Sequence, residues 1–170
     1  MNRRGFVFAI SGALALLAGA QPGHTECGGS GITEFIDITW QKQARLLAAK
    51  TPPDNEEFNA LFSPGMRALM QAPRRYPNDQ AIGPLLNAFF GYGVLPGAEI
   101  TVDVIEIASG NEEVGPATVR VGIEHRGEKR KILVHVLREN DDWRIANIIY
   151  DSGRSLIDHY RAITGRRGYI

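Results

Sequence analysis

Two titratable residues fall inside apolar, period-two segments: Asp103 between Val102 and Val104, and His135 between Leu133 and Leu137. A carboxylate on a sheet face suits proton abstraction beside a carbonyl, and an imidazole titrates near neutrality, so these are the two candidates for acid–base chemistry. Tyr92, Asn147 and Tyr150 add groups able to hydrogen-bond a bound oxygen, and Trp40 adds an apolar wall. With His135 they make up the candidate ligand-binding set. Each has a plain structural alternative. Asp103 suits a solvated strand face, His135 a half-exposed sheet face, and Trp40 a core, since it shares a helical stripe with Ile36 and Ala44. No catalytic constellation is assigned. There is no Gly-x-Ser-x-Gly, no Cys/His pairing and no phosphate-cradling glycine loop. Arg67, Arg74 and Arg75 with Tyr76 offer a grip for an anion or simply a solvated cluster. His24, His125 and His159 have no partner at metal-ligand spacing, so neither metal nor cofactor is expected.

The elements that must position these residues are legible from periodicity. Phe35, Ile36, Trp40, Ala44 and Leu47 recur at helical spacing, which predicts a helix from a Thr33 cap to about Ala49. Thr51-Pro52-Pro53 stops it. Asp54 with Glu57 is a capping box that opens a short helix with Phe58, Leu61 and Phe62 inward, and Ser63-Pro64 opens a third with Met66, Leu69 and Met70 on its apolar side. Leu85 to Gly93 is apolar but broken by glycines, which predicts a buried irregular segment. The period then changes to two, in four runs rich in Val and Ile: Ile100 to Val104, Val119 to Ile123, Ile132 to Leu137 and Trp143 to Tyr150. Turn-forming groups at Ser109-Gly110-Asn111, Arg126-Gly127-Glu128 and Asn140-Asp141-Asp142 join them, so the expected sheet is an antiparallel meander. Leu156, Tyr160 and Ile163 mark a closing helix that ends at Gly165. The fold class is therefore α+β, with N-terminal helices packed on a curved four-stranded antiparallel sheet and a C-terminal helix.

A length of 170 residues suits one domain, and 19 Lys+Arg against 19 Asp+Glu removes the broad positive field that nucleic-acid binding relies on. No nucleic-acid partner is expected. Residues 1–20 read as a removable export signal: a basic start at Arg3-Arg4, an apolar run from Gly5 to Leu17, and a small-x-small site at Ala18-Gly19-Ala20. Arg3-Arg4-Gly5-Phe6-Val7 fits a twin-arginine signal as well as an ordinary secretory one. The run is shorter than the roughly 20 residues that span a bilayer, so no membrane association is expected after cleavage. The expected location is the periplasm or outside the cell. A linker follows at 21–31, the domain occupies 32–165, and 166–170 is a tail. The single cysteine, Cys27, falls in the linker and has no internal disulfide partner.

The closing segment Trp143-Arg144-Ile145-Ala146-Asn147-Ile148-Ile149-Tyr150-Asp151-Ser152-Gly153-Arg154-Ser155-Leu156, with Leu61-Phe62-Ser63-Pro64 and the 84–93 stretch, resembles the bacterial exported family known as domain of unknown function 3828. The resemblance covers about Ile32 to Thr164. It implies the cone-shaped, nuclear-transport-factor-2-like (cystatin-like) fold, in which a cavity often separates the concave sheet face from the first helices. Asn87-Ala88-Phe89-Phe90 stands where an acidic residue is expected before the Phe. None of the shared motifs is catalytic, so the leading expectation is an exported, non-catalytic binding domain for a small ligand or an envelope protein. Two alternatives stand beside it: a small isomerase-like or hydratase-like enzyme using Asp103 or His135 in the cavity, and an immunity-type protein that neutralises a toxin in the periplasm. An exposed antiparallel face also leaves a homodimer open.

Overall fold

The structure is a computed structural model and describes residues 31–74, 86–111, 113 and 115–165. The export signal, Cys27, Arg75, Tyr76, most of the linker and the tail lie outside the described residues. Three helices come first: α1 (Ile32–Ala48), α2 (Asn55–Ala60) and α3 (Pro64–Met70). A small hairpin follows, β1 (Leu86–Asn87) paired with β2 (Gly91–Tyr92). The sheet is an antiparallel meander in the order β3 (Thr101–Gly110), β4 (Ala117–His125), β5 (Glu128–Glu139) and β6 (Asp142–Ile149), closed by α4 (Leu156–Thr164). The α+β class and the strand order thus agree with the sequence reading.

Local chemistry explains most boundaries. Asp54 Oδ1 accepts from the backbone N–H groups of Glu56 and Glu57 at 2.9 and 3.0 Å, which is what a six-residue helix needs at its open N-terminus. Ser63 caps α3 with Pro64 in its first turn, Ser155 caps α4, and Gly165 ends α4 in the left-handed region at φ 67°. The start of α1 differs from expectation. Gly31, with no side-chain cap, occupies the N-cap, and Thr33 already lies inside the helix. The two tight hairpins form where expected, with Arg126, Gly127, Asn140 and Asp141 all at positive φ, the backbone that matches strand twist. The glycine-broken segment is not irregular throughout. It closes as the β1–β2 hairpin, with Asn87 Oδ1 accepting from the N–H groups of Phe89 and Phe90 across its turn.

One face of the sheet builds the core. Val119, Val121 and Ile123 of β4, with Ile132, Val134 and Val136 of β5, are all buried, and α1 lays Ile32, Ile36, Trp40, Ala44 and Leu47 against the same cluster. Phe62, Phe89 and Phe90 complete it, each no more than 2% exposed. Bulges alter which β3 and β6 residues face inward. The register slips between Val102 and Val104, so Val102, Ile105 and Ile107 pack on the core while Val104 turns outward and is 43% exposed. In β6 the slip leaves Ala146 unpaired, and Trp143, Ile145 and Ile148 all face inward. The free edge of β6 is partly covered by the α2–α3 junction: Ile145 N–H donates to the Leu61 carbonyl at 2.8 Å, and Ser63 N–H donates to the Ile145 carbonyl at 2.9 Å.

Candidate functional site

The bonds at that edge tie the end of α2 to β6, and the space between α2 and α1 is an apolar concavity. Phe35, Ile38, Thr39, Lys42, Gln43 and Leu46 line it from α1, and Pro53, Glu57, Phe58, Ala60 and Leu61 from the α2 side; it has a volume of about 450 Å³. Sequence spacing explains it. Positions 35, 38, 42 and 46 form a second helical face, rotated away from the core stripe of Ile36 and Trp40. Apolar residues on a face that meets solvent are the informative observation, and Ile38 is 56% exposed. Phe58 anchors α2 through ring contacts with Phe62 at 5.2 Å and Phe89 at 5.8 Å. Across the rim, Lys42 Nζ and Glu57 Oε2 form an ion pair at 2.5 Å. These are the only charged residues in the lining among the described residues, and they neutralise each other.

Two polar residues lie in this apolar groove. Thr39 and Gln43, one turn apart on α1, are only 5% and 8% exposed. Neither side chain has a hydrogen-bonding partner among the described residues. Their polar atoms are not shut off from water as Trp40 Nε1 is, so these two side chains face the groove with hydrogen-bonding capacity that a ligand can take over from water. Sequence reasoning did not single them out. The available signal was the pair of polar residues at i and i+4, flanked by Phe35, Ile38 and Leu46 on a helix already supplied with one apolar stripe.

The residues singled out from sequence are dispersed. Trp40, expected to wall a ligand cavity, is instead fully buried, its ring edge-on to Phe89 at 5.1 Å, and its Nε1 has no hydrogen-bond partner among the described residues. Asp103 sits at the β3 bulge in a shallow acidic recess with Glu34 and Asp37, and its carboxylate accepts from Lys129 Nζ at 3.0 Å. That partner lifts the Lys129 ammonium above its ordinary value, chiefly through the hydrogen bond. His135 lies on the sheet face away from the core, half-buried, in register with Thr118 and Asn147, and it lines neither concavity. At least four residues of β4 separate the level of Asp103 from that of His135, roughly 13 Å of strand, so the two do not meet over one substrate atom. Asn147 serves the fold: its Oδ1 accepts from the N–H groups of Ile148 and Ile157 and clips α4 to β6.

Tyr92 and Tyr150 do come together, and they do so with His159, Tyr160 and Arg154. The rings of Tyr92 and Tyr150 stand edge-on at 6.0 Å, the Tyr92 hydroxyl lies 3.4 Å from His159 Nδ1, and the Arg154 guanidinium covers the Tyr92 ring at 5.7 Å. Burial, seconded by the charge of Arg74, holds the His159 imidazole below its ordinary value. Burial likewise raises the phenol of Tyr150, which donates to the Ala88 carbonyl at 2.8 Å. This cluster fastens the hairpin to α4. Of the arginines proposed to grip an anion, Arg74 approaches this cluster, and Arg67 lies half-buried in α3. No three His, Cys, Asp or Glu side chains among the described residues are grouped to hold a metal ion. No helix among them is long and apolar enough to cross a membrane.

The chain matches no protein-family profile, no curated protein and no solved structure.

Proposed function

We propose that this chain is an exported, non-catalytic binding domain that works in the periplasm and that its binding surface is the α1–α2 groove. The observation that carries this reading is the groove itself: an apolar concavity of about 450 Å³, within the roughly 300–1,000 Å³ of small-molecule sites, on helices whose core faces are already packed. The basic, apolar and small-residue order of 1–20 supports export. The resemblance of 143–156 to the family named above supports a nuclear-transport-factor-2-like cone, and the bulges in β3 and β6 are the device by which sheets curl.

The test uses N-phenylnaphthylamine, a neutral dye that fluoresces in apolar surroundings. It should bind the wild type at one site per chain. Ala60→Trp, which fills the groove from an exposed position on α2, should abolish the signal and leave the melting temperature unchanged. Equal fluorescence in both proteins, or none in the wild type, overturns the assignment.

A further inference from the structure

The groove carries more information than its apolar walls, and we infer from it the class of ligand: a neutral amphiphile with an apolar chain joined to a secondary amide, held by Gln43 and Thr39. The inference rests on the binding reading above. Its first support is the pair of unpartnered polar side chains. A primary amide presents a donor and an acceptor side by side, and the group that satisfies both at once is another amide, with its carbonyl and its N–H. The Thr39 hydroxyl, one turn away on the same helix, donates or accepts a further bond. An ester offers only acceptors, and an alkane offers nothing.

Charge is the second support. Among the described residues the lining contains one cation and one anion, Lys42 and Glu57, and each already neutralises the other at 2.5 Å. A carboxylate or ammonium ligand entering the groove would lose water and find no free counter-charge, or would have to break that pair. Charge complementarity therefore selects a neutral molecule. Phe35, Ile38, Leu46, Phe58 and Leu61 complete the match by offering apolar contact to a chain.

Three probes of equal chain length separate the possibilities: N-methyloctanamide, methyl octanoate and octanoate, each used to displace N-phenylnaphthylamine from the full chain. N-methyloctanamide should displace the dye at about tenfold lower concentration than either of the others, the ratio that roughly one well-placed hydrogen bond supplies. Gln43→Leu should erase the advantage, read as the ratio of amide to ester potency against the dye within that same variant. Thr39→Val, close in shape, should reduce the advantage severalfold and serves if Gln43→Leu does not fold. Equal potency of amide and ester in the wild type, an advantage that survives both substitutions, or octanoate as the strongest competitor would overturn the ligand class. In each of these cases dye binding itself leaves the groove standing as a plain binding surface. Absence of dye binding in the wild type removes the groove reading, and the ligand class with it.

Discussion

Single residues here are decided by the partners they find. His135 and His159 are both imidazoles in apolar stretches, but only His159 is packed among Tyr92, Tyr160 and the charge of Arg74. Its folded form therefore prefers the neutral ring, and the unfolded chain binds more protons just below the ordinary value of 6.5. Stability is full above about pH 6.5 and falls as pH drops from there towards the lowered folded value, because ν is larger in the unfolded state across that window. Thermal melts of wild type against His159→Gln across that range should show a slope in the first and a reduced one in the second. Trp143 tests the core directly. At 6% exposure, Trp143→Ala should cost about 3–5 kcal/mol in a urea titration, and a loss below about 1 kcal/mol would mean that its ring is not packed as described.

At the scale of elements, short pieces survive through specific bonds more than through length. An isolated helix of six residues has no stability in water, so α2 depends on the Asp54 cap, the Lys42 pair and the ring contacts of Phe58. Asp54→Ala should cost about 1 kcal/mol and, by loosening one groove wall, weaken N-phenylnaphthylamine binding in the same preparation. Asn147 is a comparable single point of attachment for α4. Removing its acceptor leaves two N–H groups unpaired, so Asn147→Ala should destabilise by about 1–3 kcal/mol while Asn147→Asp, which keeps an acceptor oxygen, should retain most of the stability. Guanidinium midpoints of the two variants decide this.

At the scale of the whole molecule, the helical layer does two jobs with opposite faces of α1. Its core stripe fills the space over the sheet with Trp40 against Phe89, which in turn meets Phe62, where the family resemblance implies a cavity, and its other flank forms the groove with α2. The binding surface proposed above thus falls on the outside of the helices and not beneath the sheet. Native mass spectrometry of protein recovered from its own cells should show a retained neutral small mass, lost in Ala60→Trp; the same mass retained by that variant would place the ligand elsewhere.

By itself the sequence determined the elements and their order. Binary periodicity, the caps at Asp54, Ser63 and Ser155, and the turns at Arg126-Gly127 and Asn140-Asp141 are local signals, set by backbone sterics and near-neighbour hydrogen bonds. Even the β6 bulge is written locally, since Trp143, Ile145 and Ile148 break the period of two by one residue. Tertiary structure alone decided which chemistry-bearing residues meet. It parted Asp103 from His135, enclosed Trp40, turned Asn147 to the fold and left Thr39 and Gln43 beside a groove without hydrogen-bond partners among the described residues. The physical reason is range: periodicity names the face a residue occupies, whereas only the docking of α2 against α1 sets what that face encounters.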